Sequence, residues 1–153
     1  MSRKITIIGA GQVGSTVAYA LTLKQIASEI VIIDIIKEKA MGEAMDIRQG
    51  TPFIGPVYVH DGYYEDAKGS DIVVFTSGVG RKPGQSRLDL TQTNVDITKS
   101  VIPQITKAAP NALYVIIANP VDILTYQFIK TSGIPTNRIF GTGTMLDTAR
   151  FRA

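Results

Sequence analysis

The sequence predicts an α/β fold: a doubly wound, six-stranded parallel sheet with helices on both faces. Three observations predict it. Six short runs rich in β-branched residues are continuously apolar rather than alternating, as strands buried on both faces must be. Helical stretches separate most of these runs, which is the spacing of crossover connections between parallel strands. Glycines at 9, 11 and 14 stand between the first run and the first helix, where the chain must turn sharply.

The strand candidates are residues 4–9 (KITIIG), 29–34 (EIVIID), 57–60 (VYVH), 71–77 (DIVVFTS), 112–118 (ALYVIIA) and 138–141 (RIFG). The first helix is expected over 12–26, with Val13, Val17, Leu21, Leu23 and Ile26 as its apolar positions. The second is expected over 37–48, with a stripe of Ala40, Met41, Ala44, Met45 and Ile47, both methionines being expected in the core. Residues 91–108 and 121–131 follow the same periodicity, and a last helix starts near Met145. Pro52, Pro56, Pro110 and Pro135 fall between elements, where a missing N–H costs least. The order is β-α-β-α-β-β-α-β-α-β. Residues 1–144 are expected to form one dinucleotide-binding domain, and 145–153 the start of a helix leading to a substrate domain outside this chain.

Composition narrows the function. The 153 residues are 44% hydrophobic and 19% charged, as in a globular domain. The net charge of +3 is spread out, with no basic patch interleaved with aromatics, so nucleic acid is not an expected partner. There is no cysteine, which removes disulfides, thiolate catalysis and cysteine-ligated zinc, and no metal site is expected. The apolar run near the start is too short for a secretory leader, and no run approaches bilayer length. A cytoplasmic location and no membrane partner are therefore expected.

The stretch GAGQVG places Gly9, Gly11 and Gly14 as G-x-G-x-x-G, directly after a strand and opening a helix. In that setting Gly9 permits the tight turn, Gly11 lets main chain approach a pyrophosphate, and Gly14 lets helix and strand pack closely. The helix start then offers unpaired N–H groups to an anion. The second strand ends at Asp34, twenty residues after Gly14. An acid there accepts hydrogen bonds from adenosine ribose hydroxyls and repels a 2′-phosphate, and Ile35 and Ile36 follow it rather than an arginine. The expected cofactor is NAD rather than NADP. Tyr126 and Lys130 form a Y-x-x-x-K pair reminiscent of short-chain reductases, but no upstream serine accompanies it, so the pair reads as part of an amphipathic helix.

After the fourth strand comes SGVGRKPGQSRLDL (77–90), an irregular, glycine-rich loop carrying Arg81 and Arg87. Two guanidinium forks beside a nicotinamide suit a substrate bearing carboxylates. At this point the chain resembles the NAD-dependent L-lactate and malate dehydrogenases. The resemblance rests on GAGQVGSTVAYAL, Asp34 after IVII, GRKPGQSRLDL, IANPVDILTY and GTGTMLDTARFR, in that order.

The resemblance implies a Rossmann fold and a set of roles. Arg87 would polarise the substrate carbonyl as the loop closes. Asn119, whose bond to Pro120 can be cis in such proteins, would contact the substrate oxygen. Arg150 would bind the 2-oxo acid carboxylate bidentately, and Asp147 would orient a catalytic histidine. Cofactor contacts are expected from Gly9, Gly11, Gln12, Val13, Gly14, Asp34, Thr76, Ser77, Gly78, Asn94 and Asn119. Arg81 occupies the specificity position, where malate enzymes carry Arg and lactate enzymes Gln, so oxaloacetate and malate are the expected substrates. The GTGT before LDTAR points instead toward lactate enzymes. The helix over 37–48 resembles a subunit interface, which implies a homo-oligomer.

In that family the histidine partner of Asp147 lies a few dozen residues beyond LDTAR. The one histidine of this chain, His60, ends a predicted strand and is expected on the adenosine side, remote from Asp147. Two functions follow from different classes: the cofactor half of a 2-hydroxy acid dehydrogenase that needs a further substrate domain, or a non-catalytic NAD-binding module.

Overall fold

Lys4–Ile8 forms the first strand, β1, and lies at the centre of the sheet. The structure is a computed structural model that describes residues 3–80 and 83–153. In chain order the elements are β1, α1 (Gln12–Leu23), β2 (Glu29–Ile33), α2 (Lys37–Gly50), β3 (Tyr58–Asp61), β4 (Ile72–Phe75), α3 (Arg87–Ala108), β5 (Leu113–Ile116), α4 (Val121–Thr131), β6 (Ile139–Gly141) and α5 (Met145–Arg152). A 3-10 turn, Tyr64–Ala67, lies within the connection between β3 and β4. The six strands pair in the order β3-β2-β1-β4-β5-β6, all parallel. This is the doubly wound Rossmann arrangement, whose order reverses between β1 and β4.

Strand pleating sorts the core into two layers. Ile5, Ile7, Ile30, Ile32, Val59 and Val74 pack with Ala18 of α1 and Ala40, Ala44 and Ile47 of α2. Ile8, Val31, Ile33, Val73, Phe75, Tyr114 and Ile116 pack on the other face with Ile102 and Ile105 of α3 and Leu124 and Phe128 of α4. Both faces of every inner strand are thus covered, which is why the runs read as continuously apolar. Among the described residues no helix is long and apolar enough to cross a membrane.

Four expectations need correction. The buried positions of α1 are Gly14, Ala18 and Thr22, while Val13, Leu23 and Ile26 are exposed. A helix that begins on a glycine turn against the sheet sits too close for large side chains, so the smallest residues take the contact. Likewise α2 buries Ala40, Ala44 and Ile47, but Met41 and Met45 are 54% and 46% exposed and are not core. Finally, α3 starts at Arg87 rather than 91. Ser86 caps it: its Oγ accepts the Asp89 N–H at 3.1 Å, and the Asp89 carboxylate accepts the Ser86 N–H at 3.3 Å. The S-x-x-D spacing was a readable start signal hidden inside a glycine-rich loop. α1 also ends early, at Leu23, just before Gln25, whose φ is +50°.

Candidate functional site

The site is built at the carboxyl ends of β1, β2, β4 and β5, where open parallel sheets leave a crevice. Gly9 has φ +106°, a conformation a side chain rarely adopts, and a Cβ there would sit 3.0 Å from the Ser77 main-chain N. Its own N–H donates to the Ile33 carbonyl at 2.7 Å. A Cβ on Gly14 would collide with the Gly9 carbonyl oxygen, so this position fixes the close packing of α1 on the turn. Gly11 differs: a Cβ there would meet nothing within 4 Å. Two of the glycines are required by the protein's own packing. The third faces open space, where a ligand can approach the main chain.

Asp34 follows the end of β2 and is tied into this turn. One carboxylate oxygen accepts the Ala10 N–H at 2.6 Å, and the other accepts the Ile36 N–H at 2.9 Å. Each oxygen keeps further acceptor capacity. Tyr64 stands close by: burial, and then the charge of Asp34, push its hydroxyl pKa up. Lys37, the first residue of α2, donates to the Gly62 carbonyl at 3.0 Å and lies 3.7 Å from the Tyr63 ring centre.

Thr76 and Asn94 latch the crevice from the β4 side. The Thr76 hydroxyl lies 3.0 Å from both the Ile8 and Gly9 carbonyls, bridging the two strands at the switch point. Asn94, on α3 and only 2% exposed, accepts the Val79 N–H at 2.9 Å and donates to the carbonyls of Asn119 at 2.7 Å and Val79 at 3.3 Å. It therefore sets the loop containing Gly78 against the segment containing Asn119, a bracing role invisible at the level of sequence spacing. The Asn119–Pro120 bond is cis. Gln12 and Val13, the first two residues of α1, are exposed at its N-terminus, and no acid stands in that first turn to compete with a bound anion.

The substrate-facing candidates are less assembled. Arg87 is exposed at the first position of α3, and Arg81 lies outside the described residues. Asp147 and Arg150 sit three apart on α5 and pair with each other at 3.4 Å, their side chains 73% and 68% exposed. Among the described residues, no hydrogen bond or ion pair joins either of them to Arg87 or Asn119. His60 is on β3, the edge strand at the far side of the sheet from β6, which precedes α5. There its Nε2 lies 3.2 Å from the Glu29 carboxylate, and its ring stacks on Tyr58 at 4.6 Å. His60 is thus an edge residue and no partner for Asp147. No group of three or more His, Asp or Glu among the described residues could hold a metal ion.

A parallel sheet in the 3-2-1-4-5-6 order, a glycine turn with free space only at its middle glycine, and an acid at the end of the second strand define a Rossmann dinucleotide-binding domain. A family described as lactate/malate dehydrogenase, NAD binding domain, matches residues 3–141, and the chain belongs to that family. L-lactate dehydrogenase 1 of Clostridium acetobutylicum is 52% identical over 149 residues, covering 97% of this chain and 48% of that protein. Among solved structures, the minor L-lactate dehydrogenase of Enterococcus mundtii in a ligands-bound form superposes with a TM-score of 0.95 at 45% identity, over 99% of this chain and 48% of that one. The malate dehydrogenase of Archaeoglobus fulgidus in complex with NADH superposes at 0.92 and 40% identity, over 97% and 51%. The chain spans about half the length of these relatives. What it shares with them is the fold of that family's NAD-binding domain.

Proposed function

We propose that the complete protein is a malate dehydrogenase, interconverting oxaloacetate and malate, and that residues 1–153 supply its cofactor site and the first part of its substrate site. Arg81 carries this reading. In the sequence it falls between the residues of β4 and those of α3, and a guanidinium from that stretch would pair with the second carboxylate of a four-carbon 2-oxo diacid. Pyruvate offers only a methyl group, leaving that arginine without a partner.

NADH, when bound, supplies the hydride. The α1 N-terminus at Gly11, Gln12 and Val13 holds the pyrophosphate, and Asp34 accepts from the adenosine ribose hydroxyls. Arg87 stabilises negative charge developing on the carbonyl oxygen, and Asn119 donates to the same oxygen. Arg150 holds the carboxylate common to all 2-oxo acids, and Asp147 orients an acid–base histidine carried by the substrate domain. The proton for the new hydroxyl comes from that histidine, because His60 is fixed at the opposite edge of the sheet.

A second reading, L-lactate dehydrogenase, has its own support: curated relatives from Clostridium acetobutylicum, Clostridium perfringens and Acetivibrio thermocellus bear that name at 49–52% identity. The test is kcat/KM for oxaloacetate and pyruvate in the complete protein, with and without Arg81→Gln. The malate reading expects oxaloacetate to be preferred and the ranking to reverse in the variant. Pyruvate preference in the unmodified protein establishes the lactate reading instead.

A further inference from the structure

A cavity of about 760 Å³ runs from the amino ends of β4 and β5 to Tyr64, the residue that stands near Asp34. One wall is the segment from Tyr64 to Ser70 that leads into β4, and the other is the last turns of α3 with the Pro110–Asn111 turn that leads into β5. Its volume falls in the range of small-molecule sites, roughly 300–1,000 Å³. Most of the lining is apolar, including the methyl of Ala108.

The walls are held by contacts that need no ligand. Ser70 hydrogen-bonds Thr6 at 2.7 Å. The buried Tyr114 hydroxyl donates to the carbonyls of Ile105 and Ala109 at 3.2 and 2.9 Å, tying down the end of α3. Arg138 donates to the Asn111 carbonyl at 2.8 Å. The space is therefore preformed.

Its charge is biased. Lys68 from one wall and Lys107 from the other line the cavity, and neither has an ion-pair partner among the described residues. Glu65 is the one acid in the lining. Two cations facing an apolar floor from opposite sides suit a ligand with one anionic group and an apolar body. The anion sits between the ammonium groups, and the body covers the floor.

We propose that this cavity is a second ligand site, distinct from the cofactor crevice, for a small amphipathic monoanion such as an aromatic or aliphatic carboxylate or sulfonate, held by Lys68 and Lys107. It does not depend on which 2-oxo acid the complete protein reduces. Lys68 and Lys107 stand at its end beside the amino ends of β4 and β5, opposite the carboxyl strand ends that frame the cofactor crevice, so the two ligands should bind together.

The test uses the whole 153-residue chain and 8-anilinonaphthalene-1-sulfonate, an apolar fluorophore with a single sulfonate, titrated in the presence of saturating NADH. One saturable site is expected, with an affinity that falls about tenfold or more in the Lys68→Gln/Lys107→Gln double variant, because two charge-assisted contacts are removed. Ala108→Phe, which fills the floor, should abolish binding while NADH affinity is retained. NADH affinity should also be unchanged in the lysine variant, both positions being exposed and remote from the glycine turn. The proposal is overturned if no saturable binding survives NADH, or if the double variant binds the fluorophore as well as the unmodified chain.

Discussion

Asp34 accepts the main-chain N–H of Ala10 at 2.6 Å, so the acid proposed to meet the adenosine ribose also holds the glycine turn in place. On that proposal, cofactor choice and turn geometry are linked through one side chain. Asp34→Ser is expected to shrink the preference for NADH over NADPH by about tenfold or more, since a hydrogen bond to a charged acceptor contributes roughly 1.5–3 kcal/mol. Part of the loss will appear as weaker binding of both cofactors, because Ala10 and Ile36 each lose an acceptor. Fluorescence titrations with both cofactors check this. An unchanged ratio of affinities would mean Asp34 does not discriminate.

The glycines separate stability from binding. Gly14→Ala forces a methyl into the Gly9 carbonyl and should destabilise the fold by several kcal/mol or prevent it from forming. Gly11→Ala meets open space and has φ −73°, so stability should stay within about 0.5 kcal/mol while NADH binding weakens markedly. Thermal melts and NADH titrations of the two variants give the comparison. A Gly11→Ala protein that binds NADH normally would place the pyrophosphate elsewhere.

Asn94→Ala should cost about 1–3 kcal/mol, because Val79 N–H and the Asn119 carbonyl lose a buried partner. It should also raise amide hydrogen exchange at Val79 and Gly80, beyond the effect on the strands. Uniform exchange across the domain would argue for loss of general packing rather than of a loop brace.

Much of this was legible in the chain and part was not, for physical reasons. Strands buried on both faces announce themselves by unbroken apolar runs, and glycines 9, 11 and 14 by their spacing and position. Which face of α1 and α2 packs inward was not legible from hydrophobicity. Close approach selects Gly14, Ala18 and Ala44, and leaves Val13, Met41 and Met45 outside. The start of α3 was coded in Ser86 and Asp89, but the glycines and proline just before them mask a local signal of four residues. The Asn94 brace joins positions 15 and 25 residues apart, and the Glu29–His60 contact spans 31, so neither has any local signature.

The last of these pairings makes stability depend on pH. Glu29 lies at the amino end of β2, between β1 and β3, with Lys4 Nζ at 2.8 Å and His60 Nε2 at 3.2 Å. Burial alone would raise its carboxyl pKa, but hydrogen bonds and charge from Lys4 and His60 outweigh that and hold it below the ordinary 4.5. A carboxyl whose folded pKa is depressed contributes stability above its unfolded pKa and loses it as pH falls through the folded one. The unfolding free energy of the unmodified chain should therefore exceed that of Glu29→Gln at neutral pH, and the gap should narrow below about pH 4.5. Taking the difference cancels the other carboxylates, which titrate in both proteins. His60→Gln should narrow the gap only in part, because Lys4 remains. Chemical denaturation at intervals from about pH 7 to pH 3 checks it, that range spanning the ordinary carboxylate values. A gap that stays constant across the range would show that the Lys4–Glu29–His60 cluster, though well formed, adds nothing to the stability of the sheet edge.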